Sequence, residues 1–453
     1  MGGFAIFCKN WHTGGIMLKD TITHSLRDAV KGLGAPQLPP VKVDVATRPE
    51  FGHFSSNIAL LLAPMLKKSP REVGEMLQIA LTGSRPAVAG RDPEMGIMDH
   101  IEVAPAGFIN FFIQPQALVH ELAAIVHEKN FLVPQASAAN TILIEYSQPN
   151  THKEFHVGHV RNVALGAALI NIYRAGGYNV TALNYIGDIG NHVAKCLWGL
   201  QKWGKENNNE SKGAFLGEVY TKAAQEVEAH PEYKVEVDAL QRALEGGDKQ
   251  LVKLWKQTRL WSLAEFTRIY KELGVSFDHF FFESEVEKDG RKVVESLLQR
   301  GIATHGEGGA IIVDLGQYHL GIFLLLKSDG ATLYATKDLA LAEKKFAAFS
   351  ADISLHVVDE RQSLYFKQLF KTLALAGFTP AMLHVPYAFV KLKEGIMSSR
   401  KGNVIHYEDI RDALVARAHE ETLKRHPEWA QKKITATSHA IAIAALKFSM
   451  LRV

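Results

Sequence analysis

The stretch TILIEYSQPNTHKEFHVGHVRNVALGAALINIY, residues 141–173, decides how this chain reads. Its opening ILIEY is an apolar run carrying one charge, the pattern of a strand buried on both faces of a parallel sheet. A loop follows, and the spacing predicts a helix from about His159 to Tyr173 with Val160, Val163, Ala164, Ala167 and Ile170 along one side. Gly176 and Gly177 end that helix, and NVTALNYIGD supplies a second strand. Strand, phosphate-sized loop, helix and strand make the first half of a doubly wound, Rossmann-like α/β sheet.

Working outward, residues 200–300 are richer in charge and read as a mostly helical insertion between two sheet halves. Sheet character returns with AIIVDL, FLLLK and SLHVVD. On the N-terminal side, residues 1–16 read as an extension without periodicity and residues 17–131 as a small α+β unit. Within that unit Ser69-Pro70-Arg71-Glu72 is a helix start with a capping box. Val73, Met76, Leu77 and Ala80 form the stripe behind it, and GFINFFI at 107–113 reads as a strand. The linker LVPQASAANT at 132–141 opens the α/β domain, which is expected to run to 390. Residues 391–430 hold a basic loop and connecting helices. In 431–453, Ile441, Ala444, Ala445, Phe448 and Leu451 share one helical stripe that calls for partner helices.

Two short segments carry chemistry. His156-Val157-Gly158-His159 stands where the first loop enters its helix, a place that favours phosphate. The imidazoles can donate hydrogen bonds to a phosphate, and Gly158 lets a flat base approach the backbone. A helix cap beside a surface histidine would read the same way. Far downstream, Met397-Ser398-Ser399-Arg400-Lys401-Gly402-Asn403 is a small basic loop able to close over a triphosphate. Taken singly it is also an ordinary solvated turn.

Taken in order, the two resemble the HIGH and KMSKS elements of class I aminoacyl-tRNA synthetases. IEYSQPNTHKEFHVGHVRNVALG and MSSRKGN are similar to the arginyl branch in particular, and the resemblance covers residues 17–453. One departure is that Ile396 stands where the KMSKS pattern begins, so Lys401, together with Arg400, is the candidate phosphate cation. The resemblance implies that His156, Gly158, His159, Met397, Ser398, Ser399 and Lys401 bind ATP. It further implies that Glu145, Asn150, Tyr334, Asp338 and Gln362 hold arginine. A guanidinium is a rigid fork of donors that wants carboxylates in its plane, and Tyr334 and Asp338 lie four apart on one helical face. Phe108 and Asn110 match a family pair that touches the corner of the tRNA, an aromatic stacking while an amide reads a base edge.

The implied reaction is ATP-dependent activation of L-arginine and its transfer to tRNA(Arg), with Mg-ATP as substrate, no permanently bound cofactor and no metal site. A monomer is expected. By the same resemblance, the last helix opens a helical bundle that binds the anticodon, and the chain stops before completing it, so weak charging is expected. Three rival readings share the HxGH motif. They are another class I synthetase (glutamyl, glutaminyl or cysteinyl), a small-molecule nucleotidyltransferase, and a synthetase-like tRNA-binding fragment without activity.

Composition is compatible with this. Apolar residues make up 47% and charged residues 22% of 453, the balance of a folded protein of two to four domains. A formal charge of +3 argues against coating nucleic acid indiscriminately, and leaves room for a local basic surface. Two cysteines, Cys8 and Cys196, cannot build a disulfide framework, so a reducing cytoplasmic compartment is expected. No window approaches the roughly 18 apolar residues of a membrane span.

Overall fold

A computed structural model describes residues 18–34, 39–82, 97–127, 141–204, 211–390 and 405–452. Residues 1–16, most of the linker at 132–141 and the loop Met397–Asn403 lie outside the described residues. The chain divides into two compact units, residues 1–138 with 175–177 and residues 139–174 with 178–453.

In the first unit, helices α1 (Leu18–Gly32), α2 (Ile58–Leu66) and α3 (Pro70–Thr82) accompany a four-stranded antiparallel sheet. Its strands are β1 (Asp44–Val45), β2 (Phe54–Ser56), β3 (Met98–Val103) and β4 (Ile109–Ile113), in the order β1-β2-β4-β3. Ile22, Leu26, Ile58, Leu62, Leu77 and Phe111 form its core. The α3 capping box is present: Glu72 N–H donates to Ser69 Oγ at 3.2 Å, and Ser69 N–H to Glu72 Oε2 at 2.8 Å. Its stripe is shifted from the expected one. Ala80 is exposed, and Gly74 is buried against Val103 instead, because only a glycine lets the helix come this close to β3. Helix α4 (Pro115–His127) buries no residue.

The second unit is built on a five-stranded, fully parallel sheet. Strands β5 (Thr141–Glu145), β6 (Asn179–Ile186) and β7 (His279–Phe282) run outward on one side, with β11 (Ile353–Asp359) and β12 (Ala381–Tyr387) on the other. The order is β12-β11-β5-β6-β7, so the winding reverses between β5 and β11. A crevice opens beyond the carboxyl ends of strands at such a reversal. Strands β8 (Thr304–His305), β9 (Ile311–Asp314) and β10 (Ile322–Leu326) make a separate antiparallel sheet. AIIVDL and FLLLK are therefore strands, as their composition suggests, but not of the main sheet. Their exposed alternate residues, Ile322 and Leu324, show the half-buried pattern that distinguishes them from the wholly buried β11.

Helix α5 (Val157–Ala175) begins two residues before the predicted start, because His156 Nδ1 accepts the otherwise free Gly158 N–H at 3.1 Å. Gly166 on α5 faces the ring of Tyr146 at the end of β5, and an added Cβ would stand 2.3 Å from that ring. Tyr146 is fully buried and cannot swing aside. Alanine is the better helix former, by about 1 kcal/mol, but the clash should dominate. Gly166→Ala is expected to cost about 1–3 kcal/mol, read as a lower midpoint of thermal unfolding.

The helical segment comprises α6 (Asn191–Trp203), α7 (Lys212–Ala229), α8 (Tyr233–Glu245) and α9 (Lys249–Glu272), with Val193, Leu197, Trp198 and Val237 in its core. It ends earlier than expected, since β7 returns to the sheet before α10 (Glu283–Gln299). Helices α11 (Tyr334–Phe349) and α12 (Ser363–Leu375) cover the sheet near the reversal. Helices α13 (Tyr407–Arg425) and α14 (Gln431–Leu451) pack on one another. Ile434, Ser438, Ala442 and Leu446 form the buried face of α14, while the stripe Ile441, Ala444, Ala445, Phe448 and Leu451 is exposed. By length and composition α14 is apolar enough to cross a bilayer, which corrects the expectation that no window is. His439 on the same helix meets Glu272 at 2.7 Å, and Lys447 donates to the Leu273 carbonyl at 3.0 Å.

Candidate active site

At the strand reversal lies a cavity of about 540 Å³. Glu145 reaches it from the end of β5, Asn150 from the following loop, Tyr334 and Asp338 from α11, and Gln362 from the turn before α12. The five residues expected to hold arginine thus line one cavity, although they come from four segments.

The loop between β5 and α5 is held in an unusual shape. Ser147 and Gln148 have φ of 75° and 49°, a left-handed conformation that costs energy without outside support. Support comes from Asn162, which accepts the Ser147 N–H, and Asn184, which accepts the Gln148 N–H at 3.1 Å. Asn150 then bridges Gly187, where an added Cβ would stand 2.1 Å from Asn150 Oδ1. Only glycine leaves the amide room there.

Three acids line the cavity: Glu145, Glu283 and Asp338. Glu145 Oε2 pairs with Lys345 Nζ at 2.7 Å, and Glu145 Oε1 accepts from Gln148 Nε2 at 2.9 Å. Burial works to raise the Glu145 carboxyl, but Lys345 and His356 outweigh it and hold the group well below the usual carboxylate range. Glu283 pairs with Lys337 at 2.7 Å. Arg361 on the wall is matched by Asp359 at 2.7 Å. Asp338 is different. It accepts a hydrogen bond from Tyr365, and among the described residues it has no cationic partner within ion-pair distance. Burial above all, with the charges of Glu145 and Glu283, pushes its carboxyl up to about 7 against the opposing pull of the Tyr365 bond and the Lys345 charge. The lysines that sequence neighbourhood suggests for Asp338, Lys337 and Lys345, are both committed elsewhere.

This makes cation binding pH-dependent with a definite sign. A bound cation stabilises the ionised Asp338, so binding below pH 7 must first displace a proton. Affinity for a cationic ligand is expected to fall about tenfold per pH unit as pH drops below 7, and to level off above it. Titration calorimetry from pH 5.5 to 8 checks this; a flat profile would place the ligand away from Asp338.

The histidine pair sits at the mouth of α5. The rings of His156 and His159 stack with centroids 3.8 Å apart. Burial pushes His156 down to about 4, aided by His406 and Lys153, and drives His159 well below its ordinary value. Both are neutral at pH 7. Gly158 N–H donates to His156 Nδ1, and His156 N–H donates to His159 Nδ1, each at 3.1 Å. Each ring therefore carries its proton on Nε2, leaving one donor apiece. Residues 405–407 run beside them: Val157 N–H donates to the Ile405 carbonyl at 3.1 Å, and Tyr407 N–H to the Phe155 carbonyl at 2.9 Å. Met397, Ser398, Ser399, Arg400 and Lys401 themselves fall outside the described residues.

In the first unit, Phe108 is 42% exposed while Asn110, inside β4, is 5% exposed. The aromatic is open to stack on a base, but the amide is covered. Sequence reading missed Lys345, Glu283, Lys337 and Tyr365. A signal existed for the first: positions 334, 338, 341 and 345 recur at helical spacing and all face the cavity.

Comparison with known proteins bears on both units. Residues 121–453 match the family "tRNA synthetases class I (R), catalytic domain", and residues 18–113 match "Arginyl tRNA synthetase N terminal domain". The chain is 35% identical to an arginine–tRNA ligase of Bdellovibrio bacteriovorus over 403 residues, covering 86% of this chain and 67% of that protein. It is 31% identical to that of Clostridioides difficile over 438 residues, covering 96% and 74% respectively. In fold it is similar to the Thermus thermophilus arginyl-tRNA synthetase, with a TM-score of 0.68 at 23% identity over 96% of this chain and 75% of that one. A Plasmodium falciparum arginyl-tRNA synthetase gives 0.66 at 17% identity, over 95% and 74%. With a strained, amide-supported loop leading into HVGH on a doubly wound sheet, and with both family models matched in order, the chain belongs to the arginyl-tRNA synthetases, a family of class I aminoacyl-tRNA ligases.

Proposed function

We propose that this chain activates arginine with Mg-ATP and passes it to tRNA(Arg). The observation that carries the choice of amino acid is the charge pattern of the cavity. Among the described residues two of its acids have lysine partners and the third, Asp338, has none, which leaves the cavity one positive charge short. A guanidinium supplies that charge with donors for the Asp338 carboxylate and a flat face for Tyr334. Asn150 and Gln362 then take the backbone end of the amino acid.

In the first step the arginine carboxylate oxygen attacks the α-phosphorus of ATP, and the bond to the bridging oxygen of pyrophosphate breaks. His156 and His159 donate Nε2–H bonds to the phosphates as neutral groups, beside the positive end of α5. Lys401 and Arg400 neutralise the departing pyrophosphate. In the second step a hydroxyl of the terminal ribose attacks the carbonyl carbon, and AMP leaves. Alignment and charge placement do the work. The first unit meets the tRNA through Phe108, residues 431–453 contribute to an anticodon-side helical surface, and the chain works as a cytoplasmic monomer.

The test is to offer a mixed tRNA pool, ATP and one labelled amino acid at a time. Esterification by arginine alone is expected; lysine, glutamate or cysteine taking its place would overturn the assignment.

A further inference from the structure

Lys345 is the cavity residue that the contacts above leave without a task. Its side chain is 1% exposed, and its acidic partner among the described residues is Glu145, two hundred residues earlier in the chain. Burying an ammonium and a carboxylate together is a weak route to stability, since desolvation offsets most of the attraction. A hydrophobic pair would pack β5 against α11 as well. Instead the pair stands in the wall of the substrate cavity.

We propose that Lys345 is a positioning residue that acts through Glu145, serving as the pocket's internal counter-charge so that the empty cavity lacks a single positive charge and admits one monovalent cation. The proposal rests on the arginine-binding reading above. Lys345 occupies Glu145 Oε2 from α11, Gln148 holds Oε1 from the loop, and His356 Nδ1 on β11 stands 3.7 Å from Oε1. The other titratable groups that line the cavity are acids and phenols, Asp338 on α11, Glu283 at the start of α10, Tyr365 on α12 and Tyr185 on β6, together with Arg361, whose charge is taken up by Asp359. Lys337, on the same helix, is engaged by Glu283. Without Lys345, then, a buried carboxylate would stand among other acids with no uncommitted cation among the described residues to hold it ionised, and it would take up a proton. The pocket would lose its fixed carboxylate, and arginine would have to expel two protons rather than one.

A change that merely loosened the fold would not alter the number of protons released. The experiment is arginine binding to the full chain by titration calorimetry, from pH 5.5 to 8, in buffers of different ionisation enthalpy. For the unaltered chain, log Kd should change by about one per pH unit below pH 7. For Lys345→Met the slope should approach two, with affinity at pH 7 lowered about tenfold or more. Lys345→Arg should keep a slope of one. The double variant Glu145→Gln with Lys345→Met, neutral at both positions, should return to a slope of one and shows that the pair can be replaced without unfolding. A Lys345→Met slope of one, whether or not affinity falls, would overturn the proposal. Failure of the unaltered chain to bind arginine at any pH would instead overturn the function proposed above, and this inference with it.

Discussion

Asp338→Asn is expected to raise the KM for arginine about a hundredfold, corresponding to about 3 kcal/mol, with little change in the KM for ATP. The substitution keeps size and one acceptor, and removes the cavity acid that, among the described residues, lacks an internal cation. Its effect should exceed that of an exposed ion pair, because the carboxyl is already desolvated enough to have moved up to about 7. The Tyr365 hydroxyl that donates to Asp338 can still donate to the amide oxygen, so the fold should persist. Steady-state pyrophosphate exchange with varied arginine checks the split. An arginine KM within about twofold of the unaltered value would remove Asp338 from the pocket.

His159→Ala and His156→Ala are each expected to slow adenylate formation by about a hundredfold or more, with arginine affinity nearly unchanged. In the proposed mechanism the pair acts as two neutral donors, and a backbone N–H on Nδ1 holds each ring in one tautomer. That assignment separates two substitutions that look alike. His159→Gln can place an N–H in roughly the same direction and should recover part of the rate, whereas His159→Lys brings a charge into a site that keeps its imidazoles neutral. Because burial holds His156 at about 4, the histidines should add no inflection to the rate between pH 6 and 8. Single-turnover measurement of AMP or adenylate checks both statements, and a lysine variant faster than the glutamine one would contradict the neutral-donor role.

Much of the doubly wound half was legible because its signals are local. ILIEY, the glycine pair after α5 and NVTALNYIGD each report on their own few residues, and β5, α5 and β6 follow. The second half misled. AIIVDL and FLLLK have strand composition, but composition does not say which sheet a strand joins, and they form a small antiparallel sheet of their own. In the same way α3 has its capping box where Ser69 and Glu72 predict it, while the buried face turns on Gly74 meeting Val103, a contact across sequence that no helical period contains.

The cavity divides along the same line. Motifs and resemblance point to Glu145, Asn150, Tyr334, Asp338 and Gln362, and the fold gathers them at the reversal between β5 and β11. What sequence could not give is the pairing of their charges. Lys337 and Lys345 flank Asp338 on one helix, yet pair with Glu283 and Glu145, which lie 54 and 200 residues away. It is this pairing that leaves Asp338 unmatched among the described residues. The tautomers of His156 and His159 were likewise out of reach, since they depend on backbone N–H groups placed by the turn.

The central claim is that the cavity is short of one positive charge and takes a planar cation to supply it. Citrulline has nearly the shape of arginine and carries a neutral urea in place of the guanidinium, so competition between the two isolates charge from size. At pH 8, where Asp338 is ionised, arginine is expected to bind the full chain about a hundredfold or more tighter than citrulline, with the ratio shrinking as pH falls below 7. Equal affinity for the two, or a ratio independent of pH, would contradict the account.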